Sequence, residues 1–294
     1  MRPGIEATRK PLAAIHLDLD GATHIFRAHR WTYDGNDDPL FDTGLWRALE
    51  FFEAMKVRVT LFAIAEDLDD PRKRELLQEA VRQGHEVASH SLTHRKLTTL
   101  TRDEKRREVF ESLERIERGL GVGARGFRAP GFEIDQETLE LVDLAGYRYD
   151  SSLFPGTASA REGSKSPYRP LKDRRLMELP MPGYDLLPFP FHPSYSLVLG
   201  TWYFRLGLRR FHRWGAPLVL LFHLTDFADP LPLDRLPGRK ARLFTLSHMK
   251  GAPKLRRCAE MVNLVQRHYR IVDSTELLAW LGTQPDGYGV GTMS

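Results

Sequence analysis

The sequence predicts an α/β fold, a barrel of parallel strands surrounded by helices, and three observations favour it. Short apolar, β-rich runs alternate with longer stretches of helical period along the 294 residues. Polar side chains with catalytic chemistry follow several of the predicted strands, as they do at the C-terminal face of a barrel. No internal repeat or low-complexity linker interrupts the alternation, so a single domain is predicted.

The predicted strands cover residues 13–19, 57–65, 85–88, 126–128, 176–179 and 217–223. The predicted helices cover residues 45–55, 71–83, 102–120, 136–145, 203–214 and 253–268, and the pattern closes with the pair 270–273 and 274–281. The helix over 102–120 has the clearest ends. Thr101 and Glu104 form a capping-box pattern, and Gly121 and Gly123 follow the last turn, where a left-handed residue is favoured.

The composition is ordinary for a soluble globular protein, with 41% hydrophobic and 28% charged residues. The single Cys258 excludes an intramolecular disulfide, and the start of the sequence holds no apolar stretch resembling a signal peptide. No run approaches the roughly 18 apolar residues of a membrane span. We therefore expect a cytoplasmic protein with no integral membrane span.

The net charge of +4 comes from arginine clusters at 102–107, 205–213 and 235–242. We interpret these clusters as solvated helix faces. The alternative is attraction to a phosphorylated or membrane-surface substrate, which would bring peripheral contact with a lipid-linked molecule. No nucleic-acid-binding motif accompanies the charge, so no nucleic-acid partner is expected.

Two long segments break the alternation and are predicted to be loops that cover a site. Residues 21–43 are polar and turn-rich, and they contain His24, His29, Trp31 and Tyr33. Residues 181–196 place four prolines among aromatic residues. Loops longer than about 12–15 residues in compact domains are usually functional lids or disordered, and the aromatic content favours lids. Trp31 is our candidate substrate contact in the first of them.

The first strand brings two carboxylates together. Alternation along residues 13–20 puts His16, Asp18 and Asp20 on one face and the apolar residues on the other. Two carboxylates at the end of a buried strand repel each other unless a cation lies between them or one of them is protonated. A structural aspartate that caps the next turn would account for one of them only.

The second motif is a histidine pair. His90 and His94 follow a strand-like segment, and their i, i+4 spacing predicts two imidazoles on one face of a helical turn. Two histidines and one aspartate give three protein ligands and leave a position open for water on Zn²⁺ or a similar ion. This layout is typical of catalytic metal sites, and such an ion makes amide hydrolysis feasible near neutral pH.

Two further groups suit the same chemistry. Arg128 can orient and hold ionised a nearby carboxylate, and Pro130 shapes a loop whose backbone N–H can point at a developing oxyanion. His223 ends a buried-type strand and is followed by Asp226. A strand-end histidine is a suitable general acid for a leaving amine.

These residues resemble the ordered signatures of the polysaccharide deacetylase family, also called the NodB-homology or carbohydrate esterase 4 family. The matching segments are Leu17-Asp18-Leu19-Asp20-Gly21, His90-Ser91-Leu92-Thr93-His94, Arg128-Ala129-Pro130 and Leu220-Leu221-Phe222-His223. Val59-Thr60-Leu61-Phe62 and the segment 84–90 resemble two further family strands. The resemblance covers residues 13–281, nearly the whole chain.

The resemblance implies a distorted (β/α)₇ barrel with a divalent metal, usually zinc, with cobalt, manganese, nickel or iron as alternatives. By position it makes Asp20, His90 and His94 the metal ligands and Asp18 the general base. Arg128 would position that base, and His223 would be the general acid. The N–H after Pro130, on Gly131, would stabilise the oxyanion, and Asp150 falls near a further motif that we assign to substrate binding. The catalytic domain is predicted over residues 1–283, with a flexible tail at 284–294.

Three departures from the family pattern bear on the site. Leu19 separates two aspartates that are adjacent in the usual family motif, which leaves the division of roles between Asp18 and Asp20 open. Gly131 stands where the family often has an aromatic residue. The insertion 21–43 replaces a short turn, so we expect it to reshape the substrate site.

The predicted function is hydrolytic removal of an N-acyl group, normally acetyl, from an amino sugar. We expect that sugar to be linked to a lipid or a nucleotide. Hydrolysis of another amide, such as a cyclic imide or ureide, is the nearest alternative. A non-haem Fe(II) oxygenase also uses two histidines and one carboxylate, but it gives Arg128 and His223 no task. A catalytically inactive sugar-binding module is disfavoured because every polar group that the chemistry needs is present.

Overall fold

The computed structural model describes residues 10–35, 37–153, 166–182 and 192–283. Within these residues the strands are β1 (Leu12–Asp18), β2 (Thr60–Ala63), β3 (Glu86–Ser89), β4 (Gly126–Phe127), β5 (Tyr149–Asp150), β6 (Met177–Glu178), β7 (Leu218–His223) and β8 (Arg270–Val272). The predicted tail at 284–294 lies outside the described residues, as do residues 183–191 of the second predicted lid. The single-domain boundaries stay a prediction.

The helices surround the sheet. They are α1 (Ala22–Ala28), α2 (Pro39–Ala54), α3 (Pro71–Arg82), α4 (Arg102–Leu120), α5 (Gln136–Ala145), α6 (Pro193–Leu199), α7 (Thr201–His212), α8 (Arg239–Phe244), α9 (Gly251–His268) and α10 (Ser274–Leu281).

The strands form one parallel sheet in the order β6-β5-β4-β3-β2-β1-β7, and β8 pairs with the first half of β1. No pairing joins β6 to β7 in the part of the chain that the structure describes, so the barrel is open at that seam. The prediction of a distorted (β/α)₇ barrel is confirmed. Because all strands run the same way, their carboxyl ends meet at one edge.

The side chains of β1 alternate between two apolar clusters, as its sequence predicts. Ala13, Ile15 and Leu17 face the helices, whereas Leu12 and Ala14 face the barrel interior with residues of β2, β7 and β8. The register places Asp18 of β1 opposite Phe62 of β2 and opposite His223 of β7. Asp18, the predicted base, and His223, the predicted acid, therefore lie on neighbouring strands at the same edge of the sheet.

Local signals explain the helix ends. The capping box of Thr101 and Glu104 starts α4, and Gly121 ends it in the left-handed region with φ 69°. Helices α3, α5 and α10 each begin after an aspartate whose carboxylate accepts a backbone N–H. The predicted bounds of α4 and α5 match the structure.

The insertion 21–43 is not the loop that the sequence predicted. It contains α1, and α2 begins at Pro39, six residues earlier than predicted. The carboxylate of Asp38 caps α2 by accepting from Phe41 N at 3.2 Å and also accepts from Ala22 N at 2.7 Å, so one side chain starts both helices. A Cβ on Gly21 would lie 2.0 Å from Asp38 Oδ2, which explains the glycine there. The short helices α6 and α8 and strand β5 were also not predicted.

Candidate active site

Arg128 is the central side chain of the candidate site and is fully buried. It follows β4 directly, and its Nη1 donates to Asp18 Oδ1 at 2.5 Å while its Nη2 donates to Nδ1 of His16 at 2.6 Å. Its Nε donates to the carbonyl of Ser151 at 2.8 Å, and the ring of Phe62 lies 4.0 Å from the guanidinium carbon. Since the guanidinium is a rigid planar fork, these contacts leave it one orientation and fix the facing oxygen of Asp18.

Asp20, His90 and His94 converge beside this pair, and their potential ligand atoms lie within 4.8 Å of one another. Asp20 Oδ1 is 3.1 Å from His94 Nε2 and 3.4 Å from His90 Nε2. Burial raises the pKa of Asp20, but His94 and His90 outweigh that effect and hold the pKa well below its usual range. The second oxygen of Asp18 lies 3.9 Å from His90 Nε2, so the carboxylate that Arg128 holds borders the cluster.

The three residues fit a divalent cation. Asp20 Oδ1 and both ring nitrogens of His94 are buried and have no hydrogen-bond partner among the described residues, which is rare for buried polar atoms. His90 Nδ1 lies 2.8 Å from the carbonyl oxygen of Arg128 and therefore carries the proton. That bond leaves the lone pair of His90 Nε2 facing the cluster, as in metal sites whose histidines are oriented by an outer hydrogen bond.

The histidine pair is not on a helical turn, which corrects the prediction from its spacing. Residues 90–94 form an irregular loop in which Ser91 has φ 67° and His94 has φ 56°. Ser91 Oγ accepts the His94 N–H at 3.1 Å, and the two imidazoles meet edge to face with centroids 4.9 Å apart. The loop brings the rings together by turning back on itself after β3.

Glu108 of α4 holds this loop and was missed in the sequence. Its side chain is buried, and its carboxylate accepts from the backbone N–H groups of Leu92 and Thr93 at 3.0 and 2.9 Å. It also accepts the hydroxyl of Thr93 at 2.5 Å. In the sequence Glu108 is one of several glutamates in a charged helix, and nothing in that helix distinguishes it from its exposed neighbours.

His223, the predicted acid, is held by two partners. Ser194 Oγ donates to Asp226 Oδ2 at 3.1 Å and lies 3.3 Å from His223 Nδ1. Because the single hydroxyl proton goes to the carboxylate, Ser194 accepts the proton of His223 Nδ1. Asp226 also accepts the backbone N–H of His223 at 2.9 Å, and burial raises the pKa of Asp226. The ring of His223 is therefore oriented with Nε2 available.

His192 is a second imidazole that sequence reasoning passed over. It is buried immediately before α6, and its ring stacks on His223 with centroids 5.6 Å apart. Burial, His223 and Arg128 together lower its pKa well below the usual value, so the ring is neutral at pH 7. Its Nδ1 has no hydrogen-bond partner among the described residues. The only sequence signal was its place in the proline-rich, aromatic segment.

The loop after Arg128 carries the predicted oxyanion donor. Pro130 is buried and Gly131 is exposed with φ 66°, and nothing lies within 4 Å of the position of a Cβ on Gly131. The backbone hydrogen bonds of the described residues include no acceptor for the Gly131 N–H. The donor is thus available, and its assignment to an oxyanion stays a prediction.

Asp150 is held by hydrogen bonds to Ser152, and its assignment to substrate binding stays a prediction. It is fully buried, and its carboxylate accepts the N–H of Ser152 at 3.0 Å and the Ser152 hydroxyl at 2.7 Å. Ser152 Oγ in turn accepts the N–H of Ala129 at 2.7 Å. Asp150 therefore supports the loop that follows Arg128 from behind.

The insertion reaches the site through His24 rather than through Trp31. The ring of His24 lies edge to face with His94 at 5.8 Å between centroids, and its Nε2 is 3.0 Å from Asp67. Trp31 instead stacks on His29 at 4.4 Å and packs against Phe244 at 6.2 Å. No contact between Trp31 and the candidate metal ligands is recorded in the described ranges, and its role as a substrate contact stays a prediction.

A family model described as polysaccharide deacetylase matches residues 31–149, which include His90, His94 and Arg128. This match supports the resemblance to the family that the sequence motifs indicate. Asp18, Asp20 and His223 lie outside the matched segment, so those positions rest on the geometry described above.

Two deacetylases are similar to part of the chain in sequence. The peptidoglycan deacetylase of Helicobacter pylori is 28% identical over 152 residues, which are 48% of this chain and 49% of that protein. The chitooligosaccharide deacetylase of Sinorhizobium fredii is 31% identical over 100 residues, which are 34% of this chain and 44% of that protein. The similarity thus spans about half the length of these relatives.

Solved structures share the fold over nearly the whole chain. A candidate polysaccharide deacetylase from Mycobacterium smegmatis superposes with a TM-score of 0.64 at 22% identity, covering 94% of this chain and 95% of that one. PuuE allantoinase superposes with a TM-score of 0.61 at 17% identity, covering 93% of this chain and 91% of that one. At these identities the likeness establishes the barrel alone.

Proposed function

We propose that this protein is a metal-dependent hydrolase that removes an N-acyl group, normally acetyl, from a substrate containing an amino sugar. The observation that carries the proposal is the convergence of the Asp18–Arg128 pair, the Asp20–His90–His94 cluster and His223 at one edge of the barrel. Deacetylases of peptidoglycan and chitooligosaccharide among the relatives support the same reaction class.

Asp20, His90 and His94 would hold the divalent cation, with zinc the expected ion because two imidazoles and one carboxylate suit it. When bound, such an ion lowers the pKa of a water molecule and polarises an acyl carbonyl. Two contacts support the assignment of Asp20 as ligand and Asp18 as base. Asp18 Oδ1 binds Arg128 at 2.5 Å, whereas Asp20 Oδ1 has no hydrogen-bond partner among the described residues.

Asp18 acts as the general base in this proposal. Arg128 binds one of its oxygens, and the other oxygen borders the ligand cluster, 3.9 Å from His90 Nε2. That second oxygen takes a proton from the water that attacks the acyl carbon. The guanidinium also keeps the carboxylate from rotating, so the free oxygen of Asp18 keeps facing the ligand cluster.

His223 acts as the general acid. Ser194 accepts the Nδ1 proton through the contact at 3.3 Å, so the acid is the doubly protonated ring, which gives its Nε2 proton to the amine nitrogen as the C–N bond breaks and is left as neutral imidazole. The N–H of Gly131 is the donor available for the oxyanion of the tetrahedral intermediate. The products are a carboxylate, acetate in the simplest case, and a free amino sugar.

For the substrate we propose an acylated sugar carried on a lipid or a nucleotide and met in the cytoplasm. The arginine content of residues 205–213, close in sequence to Ser194 and the acid His223, supports a phosphorylated carrier. None of the helices in the described part of the chain has the length and apolar composition of a membrane span. Cell fractionation with an antibody to the native protein tests the location.

The experiment is acetate release by the purified protein from N-acetylated sugars in three forms: free, nucleotide-linked and polyprenyl-phosphate-linked. We expect release with added Zn²⁺ or Co²⁺, loss of release after chelation, and recovery on readdition of the metal. Asp18→Asn and His223→Ala are expected to lower kcat by about 10²–10⁴ with zinc still bound, since each removes a proton-transfer group. Glu114→Gln, at an exposed position of α4, is the matched control.

Release of no acid from any sugar, with metal bound stoichiometrically, would refute the amino-sugar proposal. Ring opening of hydantoin or allantoin under the same conditions would then assign hydrolysis of a cyclic amide to the same residues. Oxygen consumption with Fe²⁺ would assign the oxygenase alternative, for which the Arg128–Asp18 pair has no role.

A further inference from the structure

Helices α6 and α7 present an exposed surface next to the candidate site. We call it the α6–α7 surface and define it by an apolar tip and a basic collar. The apolar tip consists of Tyr195, Val198, Leu199, Trp202 and Leu206. The basic collar consists of Arg205, Arg209 and Arg213.

The apolar tip is unusual because its members are contiguous. Trp202 is 61% exposed, Val198 48% and Leu206 42%. Large apolar side chains that are exposed on a soluble protein normally occur singly, and a cluster marks an interaction site. The buried face of α7 is already occupied by Tyr203, Phe204, Leu208 and Phe211, which pack into the core. The exposed apolar side chains of the tip are therefore not part of the hydrophobic core.

The collar lies on the same stripe of α7 as the tip. Trp202, Leu206, Arg209 and Arg213 follow one another at helical spacings of four, three and four residues, so the stripe is apolar at its start and basic at its end. Residues 186–225 contain no aspartate or glutamate. Glu260 of α9 pairs with Arg205 at 2.5 Å, and the ion pairs recorded among the described residues give Arg209 and Arg213 no carboxylate.

A groove of about 180 Å³ extends the collar toward α9. Its lining is Arg205, Leu208, Arg209, Leu264, Arg267 and His268. Three guanidinium groups around two leucines form a positively charged groove with an apolar floor. This chemistry suits a phosphate group that is attached to a hydrocarbon chain.

We propose that the α6–α7 surface docks the protein on an anionic lipid bilayer. The apolar tip enters the boundary between headgroups and acyl chains, and the collar and groove bind lipid phosphates, which is the arrangement of amphipathic helices that lie in the interface. A second copy of the chain is a poorer occupant. A two-fold contact through this surface would bring the arginines of one copy against those of the other.

The α6–α7 surface lies next to the candidate site, so docking would bring a lipid-linked substrate close to the catalytic residues. This inference rests on the proposed function. Ser194 in the first turn of α6 contacts both His223 and Asp226. Helix α6 therefore contacts the acid His223 in its first turn and carries part of the apolar tip further along. A sugar carried on a membrane lipid would meet the cleft at the docked face without leaving the bilayer.

The test is cosedimentation of the full chain with vesicles of phosphatidylcholine alone and with phosphatidylglycerol added. We expect binding to the anionic vesicles that weakens as salt is raised. Trp202→Ser is expected to lower the partition coefficient about tenfold, and Arg209→Gln and Arg213→Gln about fivefold each, with a loss of salt dependence. Trp46→Ser is the matched control, because Trp46 is 52% exposed on α2, and it is expected to bind as the native protein does.

Failure of the native protein to bind anionic vesicles would overturn the proposal, as would equal effects of Trp202→Ser and Trp46→Ser. A dimer in solution that Trp202→Ser converts to a monomer would assign the surface to a second copy instead. Acetate release from a soluble N-acetylated oligosaccharide is measured for the same variants and is expected to be unchanged. No acetate release by the native protein from any sugar, free, nucleotide-linked or polyprenyl-linked, would refute the proposed function and leave the vesicle result standing.

Discussion

Nδ1 of His16 accepts a hydrogen bond from Nη2 of Arg128 at 2.6 Å, and neither side chain is exposed. Because the guanidinium is only a donor, this bond makes Nδ1 the acceptor and Nε2 the donor, and Nε2 lies 2.7 Å from Ser274 Oγ. Burial and the charge of Arg128 both lower the pKa of His16 well below its usual value. His16 is thus a neutral imidazole in one tautomer, wedged between the barrel floor and the arginine that holds Asp18.

His16 is expected to position the base through Arg128. His16→Ala should lower kcat roughly tenfold to hundredfold with little change in KM, because it loosens Arg128 without touching substrate. His16→Asn should recover much of the loss, since the amide oxygen can accept from Arg128 where Nδ1 does now. The measurement is steady-state acetate release, with zinc content as a control for the intact ligand cluster. Equal rates for His16→Ala and His16→Asn would contradict the positioning role.

The β1 strand shows how much of the site the sequence contains. The period of two placed His16 and Asp18 on the inner face, and the apolar clusters on either side of β1 agree. The sequence also placed groups with catalytic chemistry at the ends of four strands. The family resemblance assigned Arg128 to Asp18, but nothing in the sequence indicated that the same guanidinium also binds His16, because that contact depends on the order of strands in the sheet.

Glu108 is expected to support the metal ligands through the loop 90–94. Both backbone N–H groups, of Leu92 and Thr93, donate to Oε2 of Glu108, so Glu108→Ala leaves both without their acceptor, at a cost of about 1–3 kcal/mol for each one that stays unsatisfied. Zinc affinity should fall about 10–100-fold, as when other outer supports of metal ligands are removed. Titration calorimetry with Zn²⁺ measures this. Glu114→Ala, at an exposed position of the same helix, should leave the affinity unchanged, and a similar loss there would refute a specific role of Glu108.

The histidine pair and the insertion illustrate what local sequence could not predict. The i, i+4 spacing of His90 and His94 suggested a helical turn, but the loop is held by a side chain of a different helix, α4, and adopts left-handed backbone at Ser91. The first helix, α1, has only seven residues and depends on contacts distant in sequence, from Ala22 N to Asp38 and from His24 to Asp67. Short elements of this kind are fixed by tertiary contacts, which outweigh helix propensity.

Ser194 is expected to orient the acid. Ser194→Ala removes the acceptor of His223 Nδ1 and should lower kcat about tenfold, a smaller loss than His223→Ala because the proton donor itself remains. Ser194→Thr retains the hydroxyl and should keep most of the activity. The ratio of kcat between the two variants is the readout, with KM expected to change little in either. A loss in Ser194→Thr as large as in Ser194→Ala would show that the hydroxyl is not what matters.

His85 is expected to make the fold acid-sensitive. Burial, aided by Arg58, lowers the pKa of His85 to about 4, and its Nδ1 accepts the backbone N–H of Val59 at 3.2 Å. In the unfolded chain the same group has a pKa near 6.5. The unfolded state therefore binds a proton that the folded state does not as pH falls below about 6.5. Stability is fully present above that pH and is lost progressively toward pH 4.

Between pH 7 and pH 5 this one group should cost about 1–2 kcal/mol of stability, which for a chain of this length corresponds to a fall in Tm of roughly 2–3 °C. His85→Asn cannot titrate, and its amide oxygen can accept from Val59, so the variant should show a smaller fall in Tm over the same interval. Thermal unfolding is followed with chelator present at both pH values, so that loss of metal from the histidine ligands adds nothing. His248→Asn, at an exposed site, is the control and should keep the native slope. If His85→Asn also keeps it, another group is responsible for the acid sensitivity.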